Sequence, residues 1–282
     1  MHINLVIFLL SLCSNAFLIK YLLKNKCFQP QRSEKIKIPT FGGISFLLVM
    51  FLLFFFKKVG FSFFAYVFFS GTIGFLDDFL KVSKKTTDGL SSSLKIKLEF
   101  LGAFLFLLFE NYHKAYLIYP VISLFFCAFF LVSMINAVNL SDGMDGLSSI
   151  LSVFCFLFLY LKTGDSLYLN FIFMLLGFLV FNFPPAKIYM GDVGALSLGS
   201  ILGVLFFRNN LEWSVLLVGI VFCIQAISSL IQIVSIRMFS KRIFLLAPFH
   251  HHLLLKNWTK LQVMLLFYFI TFLGLLFSLY IF

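Results

Sequence analysis

The feature that most constrains this sequence is a succession of apolar runs, each close to the length that crosses about 30 Å of hydrocarbon. They fall at roughly 3–23, 40–56, 60–76, 96–110, 116–135, 146–161, 166–183, 194–207, 211–236 and 261–281, with short, often basic segments between them. A water-soluble core cannot absorb this pattern. The chain is 61% hydrophobic and only 12% charged, where an ordinary soluble domain carries about 25% charged residues. The expected fold class is therefore all-α, a polytopic membrane protein of ten transmembrane helices forming a single integral-membrane domain over 1–282. Residues 3–19 would suit the apolar part of a signal peptide, but no basic segment precedes them, so they are read as a first transmembrane helix.

Ten crossings put both termini on one side and divide the connections into two alternating sets. The set at 24–39, 77–97, 136–145, 182–193 and 237–260 holds 16 Lys and Arg, the other set holds 5, and Lys20 lies within the first run. Basic residues accumulate on the cytoplasmic side of a membrane, which places the first set in the cytoplasm and both termini outside. The net charge of +11 is thereby spent on membrane orientation and gives no sign of nucleic-acid binding. Nearly all Asp, His and Asn clusters share the cytoplasmic set, so an active surface on that side alone is expected. Cys13, Cys27, Cys127, Cys155 and Cys223 show no paired spacing, which argues against a disulfide framework or a thiolate metal site.

Four polar islands interrupt the apolar pattern. Asp77 and Asp78 are adjacent carboxylates at the end of the third run, with Lys81 one turn on; a solvated helix end accounts for one acid more easily than for two. Asn136, Asn139, Asp142 and Asp145 crowd the connection before the sixth run, where Asp142-Gly143 and Asp145-Gly146 also read as ordinary turns. Asp192 stands between Gly191 and Gly194 at the start of the eighth run, a position that suits an N-cap or an anion site. His250, His251 and His252 follow Ala247-Pro248 without a break, and no Cys or spaced His joins them to make a zinc site. In the ninth run Gln225, Ser228, Ser229, Gln232 and Ser235 recur at helical spacing; such a stripe should face the bundle, as helix–helix hydrogen bonding or as the wall of a wet cleft. Carboxylates without thiols suit a hard cation such as Mg²⁺, and Lys and His beside them suit a phosphate-bearing substrate. No P-loop pattern is present.

Pro39-Thr40-Phe41-Gly42-Gly43, the Asp77-Asp78 island, 136–146, 182–194 and 247–252 stand in an order that resembles the polyprenyl-phosphate N-acetylhexosamine-1-phosphate transferases. The unbroken His250–His252 run and Lys256-Asn257-Trp258 are similar to the phospho-N-acetylmuramoyl-pentapeptide transferase branch. The resemblance implies ten helices, a homodimer, a cytoplasmic-face active-site cleft, Mg²⁺ as cofactor, and transfer from UDP-N-acetylmuramoyl-pentapeptide to undecaprenyl phosphate at the inner membrane, giving lipid I and UMP. It also implies roles for individual residues. Asp192 would ligate the metal, and Asp77 and Asp78 would position or activate the polyprenyl phosphate. Asn139 and Asp142 would line the centre, and His250, His251 and His252 would contact phosphates or the nucleotide-sugar. Tyr189 would lie against the uracil with Asn182, Lys85 and Asp145 near it, and Lys35, Thr40, Lys81 and Lys95 would line the rest of the substrate cleft. The chain departs from the pattern at 36–38, Ala195, Gln225 and Leu254. Two alternatives remain at this level: a sister enzyme that uses UDP-N-acetylglucosamine, and a transporter, which would be expected to hold its polar groups near the membrane midplane.

Overall fold

A computed structural model describes residues 2–28, 38–110 and 120–282. The described residues form helices joined by short connections, with one isolated antiparallel bridge between Phe28 and Pro39. In chain order the helices are α1 (His2–Lys24), α2 (Ile44–Phe55), α3 (Phe61–Lys84), α4 (Ser92–Phe109), α5 (Pro120–Ser141), α6 (Leu147–Thr163), α7 (Leu167–Asn182), α8 (Gly191–Arg208), α9 (Val215–Val218), α10 (Ile220–Phe239), α11 (Phe249–Leu255) and α12 (Lys260–Ile281). Six of them, α1, α3, α5, α8, α10 and α12, are long and apolar enough to cross a membrane, and α2, α6 and α7 are shorter apolar helices. The chain is a multi-pass membrane protein. Residues 116–119 of the fifth apolar run, and Lys35, lie outside the described residues.

The bundle is built around α8, which is buried over nearly its whole length and packs against α3 and α5. Lipid tails are as apolar as Leu, so helices associate in a membrane through close packing and internal polar contacts. The sequence of α8 suits that need, with Gly194, Ala195, Ser197, Gly199, Ser200 and Gly203 along it. Its serines satisfy themselves, Ser197 donating to Val193 O at 2.7 Å and Ser200 to Ser197 O at 2.8 Å. On α3 the matching small residue is Gly74, where even a methyl group would collide with the backbone carbonyl of Asp192. That approach brings the last turns of α3 onto the first turn of α8. Bulky apolar residues such as Phe17, Phe51, Phe55, Phe269 and Phe277 point outward from α1, α2 and α12, as a lipid-facing surface requires.

The helices depart from the apolar runs where polar residues continue a helix or backbone breaks one. The third run becomes a helix that continues to Lys84, so Asp77, Asp78 and Lys81 lie on its last turns and not beyond them. Asp77 and Lys81 are one turn apart and pair at 2.6 Å, which favours continuation. The ninth run is interrupted at Gly219, giving a single 3₁₀ turn at Glu212–Ser214, the short α9 and then α10. The histidine run gains its own seven-residue helix, α11, with Pro248 as N-cap.

Candidate active site

One end of the bundle collects the polar residues, and the local backbone explains how. Residues 39–43 lie alongside 189–190 through three backbone bonds of 2.9 Å: Tyr189 N–H to Pro39 O, Gly42 N–H to Tyr189 O and Gly43 N–H to Met190 O. Gly191 then turns the chain into α8 with φ of 70°, a left-handed conformation that favours glycine. A Cβ there would strike the Asp78 carboxylate and the Thr40 hydroxyl. Asp78 is wholly buried and accepts the Val193 N–H at 3.2 Å, capping α8 from the neighbouring helix. Asp77 accepts the Leu90 N–H at 2.7 Å, which folds the α3–α4 connection back onto the acids.

Asp192 is the hub. Its Oδ2 meets Lys95 Nζ at 2.8 Å and Lys81 Nζ at 3.1 Å. With its amide oxygen turned toward Lys95, Asn139 accepts from that ammonium at 3.1 Å and donates to Asp192 Oδ1 at 3.3 Å; this orientation is the one that satisfies both groups. Asp77, Asp78 and Asp192 each offer a carboxylate oxygen within 4.8 Å of the others. Three carboxylates at that spacing, with no thiolate among them, form an oxygen-only donor set that fits a hard divalent cation. The Thr40 hydroxyl, buried beside Asp78, has no hydrogen-bond partner among the described residues.

Two cavities meet at this hub. The smaller, about 180 Å³, is lined by Asp142, Asp145, Asn182, Tyr189 and Lys260. The larger, about 610 Å³, is lined by Asp77, Lys81, Asp88, Ser91, Lys95 and Asn136. Asn139 and Asp192 belong to both, so the two form one cleft with Asp192 at its waist. Burial, then the charges of Asp192, Asp78 and Asp145, raise Asp142 well above the usual carboxylate range. Asn182 joins the walls of the smaller cavity, accepting the Gly146 N–H at 3.0 Å and donating to Ile188 O at 2.9 Å. Asp145 accepts the Ala186 N–H at 3.2 Å.

The histidines approach from α11, whose N-terminal end is held by the polar stripe of α10. Ser228 Oγ accepts the Phe249 N–H at 3.1 Å, and Gln225 Oε1 accepts the His250 N–H at 3.2 Å. Gln232 Oε1 accepts the Ile243 and Phe244 N–H groups, and Ser235 donates to Lys241 O. The stripe therefore seats the connection that carries the histidines. His250 is fully buried, with Nε2 against Gly143. Burial, and secondarily His251, push its imidazole down to about 3, and burial also lowers His251. The His251 ring is tilted against His250 with centroids 4.1 Å apart, while His252 stacks on Phe249 at 5.6 Å.

Of the residues expected to line a site, Asp77, Lys81, Lys95, Asn139, Asp142, Asp145, Asn182, Tyr189 and Asp192 line the cleft, and Asp78 and Thr40 lie directly behind it. Lys85 stands apart as the exposed C-cap of α3, with φ of 53°. Two residues were not singled out from the sequence. Lys260 opens α12 and lines the smaller cavity. Glu99 is buried in α4 one turn beyond Lys95 and accepts a hydrogen bond from Asn136. A lone acid inside an apolar run was the available signal for Glu99.

The geometry defines a helical-bundle membrane protein with a cleft at one end that gathers three carboxylates and two lysines. The family model described as Glycosyl transferase family 4 matches residues 60–210, the stretch from α3 through α8, and the chain belongs to that family. The chain is 37% identical over 280 residues to the phospho-N-acetylmuramoyl-pentapeptide-transferase of Streptococcus pneumoniae serotype 2, an alignment that covers 88% of this chain and 86% of the relative. The protein of the same name from serotype 19F is 37% identical and that from serotype 4 is 36% identical, each with the same coverage.

Proposed function

We propose that this protein transfers phospho-N-acetylmuramoyl-pentapeptide from UDP-N-acetylmuramoyl-pentapeptide to undecaprenyl phosphate, releasing UMP, in a cleft that faces the cytoplasm. The observation that carries this reading is the position of Asp192, held by Lys81, Lys95 and Asn139 at the junction of two cavities. A reaction that joins two phosphate-bearing substrates needs such a meeting point. The smaller cavity, with Tyr189 on its wall, suits the nucleotide, whose uracil can stack on the phenol ring. The larger, beside Asp77, Lys81 and Lys95, suits the acceptor phosphate. The acceptor's hydrocarbon tail has an apolar groove of about 390 Å³ beside α5, α9 and α10, lined by Phe126, Phe130, Ala137, Ile227 and Leu230. Ala137 lies on α5 between Asn136 and Asn139 of the cleft, so phosphate and tail can be held by one helix.

In the reaction an oxygen of the acceptor phosphate attacks the sugar-bearing phosphorus of the diphosphate. The bond from that phosphorus to the bridging oxygen breaks, and the oxygen leaves with UMP. Phosphoryl transfer of this kind is catalysed chiefly by positioning and charge neutralisation. Mg²⁺, held by Asp192 with Asp77 and Asp78, would neutralise charge on the phosphate oxygens. Lys81 and Lys95 supply two positive charges at the point where the substrates meet. The 16-to-5 distribution of basic residues supports the cytoplasmic orientation, since the cleft is built from the basic set of connections.

Purified protein incubated with UDP-N-acetylmuramoyl-pentapeptide, undecaprenyl phosphate and Mg²⁺ tests the reading. UMP and a lipid-linked product should form together, and EDTA should stop both. No lipid product, or equal use of UDP-N-acetylglucosamine, would overturn the assignment.

A further inference from the structure

We infer that two of the three contiguous histidines are fixed in opposite roles: Gln225 holds His250 as the Nδ1–H tautomer, an acceptor at Nε2, while a backbone N–H holds His252 as the Nε2–H tautomer, a donor. A neutral imidazole carries its proton on one nitrogen, and the hydrogen bond at the other nitrogen decides which.

The His250 backbone N–H points at Gln225 Oε1 at 3.2 Å. A backbone N–H can be received only by the oxygen of an amide, so the orientation of the Gln225 side chain is settled. The same oxygen lies 3.0 Å from His250 Nδ1. Two acceptors cannot share that contact, so Nδ1 carries the proton and Nε2 carries the lone pair. Gln225 and His250 are both fully buried, so bulk solvent does not compete for the contact between them. The orientation leaves Gln225 Nε2 and His250 Nε2 without partners among the described residues. Buried polar atoms left unsatisfied are rare and concentrate where a ligand or water completes them.

His252 meets the opposite partner, a donor. The Leu245 N–H donates to His252 Nδ1 at 3.1 Å. Nδ1 is therefore the acceptor, and the proton of the neutral ring sits on Nε2. The ring is held against Phe249 and Phe244, so this orientation is supported on its faces as well.

The consequence deepens the proposed transferase reading and rests on it for its chemistry. His250 Nε2 is aimed at Gly143, in the turn that carries Asp142 and lines the smaller cavity. The lone pair lies against the back of that turn, and any group that completes it must donate an O–H or N–H. The groups shown against His250 are Gln225 from α10, which is neutral, Gly143 of that turn, and His251 on its own helix. Gln225 is thus a positioning residue that acts through His250.

Nitrogen-15 NMR of histidine-labelled protein in detergent at neutral pH reads the tautomers directly, with His250→Gln and His252→Gln variants to assign the signals. The expected spectrum has protonated Nδ1 at His250 and protonated Nε2 at His252. Gln225→Glu should keep the His250 Nδ1 proton, and Gln225→Leu should release the ring toward the Nε2–H form that free imidazole prefers. An Nε2–H signal at His250, the same tautomer at both residues, or an imidazolium at His250 would overturn the inference. The wild-type spectrum decides the matter even where Gln225→Leu does not fold. No substrate is needed, so failure of the transferase assay and failure of the tautomer assignment are separate results.

Discussion

At the residue scale the account rests on Asp192, which contacts two ammonium groups and an amide at once. Replacing it by Asn leaves the size unchanged and removes the charge. Asp192→Asn should lower turnover by about 100-fold or more, the scale of losing one preorganised electrostatic group, while the protein still elutes as a single folded species. A folded variant with near-normal turnover in Mg²⁺ would contradict the role. Tyr189 gives a graded case. Stacking on a nucleobase contributes about 1–3 kcal/mol, so Tyr189→Ala should raise the KM for the UDP-sugar roughly tenfold, with little change for the lipid acceptor. Tyr189→Phe should be mild. Equal losses for both substrates would instead mark Tyr189 as an interfacial anchor. Much of this site was legible in the sequence, because Asp77, Asp78, Asn139 and Asp192 sit at the ends of apolar runs, where an acid or amide has few inexpensive fates. What spacing does not carry is which partner each side chain finds. Asn182 binding Gly146, Asp78 capping α8, and Gln225 gripping His250 are contacts between segments far apart in the chain.

At the element scale, close approach and internal seating position the cleft. Gly74→Val would force α3 away from the α8 N-terminus, since its first carbon already meets the Asp192 backbone. Overpacking of this kind costs about 1–3 kcal/mol, and the variant should lose thermal stability and activity together. A Gly74→Val protein with unchanged melting temperature would show that the helices are not in contact there. The polar stripe of α10 makes a local prediction. Gln232 holds Ile243 and Phe244 by three hydrogen bonds, so Gln232→Leu should cost about 2 kcal/mol of local stability. Trypsin should then cleave at Lys241 and Arg242 roughly 30-fold faster, following that energy; unchanged cleavage would mean that the stripe does not seat the loop. The apolar runs were readable because lipid imposes one length and one polarity on every crossing. The break at Gly219 and the separate α11 were not, since a four- or seven-residue helix has no period long enough to see.

At the scale of the whole molecule the two ends of the bundle differ in chemistry. The cleft end gathers the carboxylates, lysines and histidines, while at the far end of α8 Arg208 closes a clamp on Glu110 at 2.7 Å and rests over Phe63 at 5.1 Å. The proposed cytoplasmic orientation of the cleft predicts that a Cys introduced at Asp88, on the exposed rim of the larger cavity, resists an impermeant thiol reagent in intact cells and reacts after lysis. Labelling from outside would invert the topology. The central claim, that the sugar moves to the lipid together with one phosphate, is tested most directly by following that phosphorus. UDP-N-acetylmuramoyl-pentapeptide carrying ³²P in the sugar-bearing phosphate, incubated with undecaprenyl phosphate, Mg²⁺ and the purified protein, should deliver the label to the lipid fraction and release unlabelled UMP. Label that stays in the aqueous nucleotide, or a lipid product that forms without it, would contradict the account.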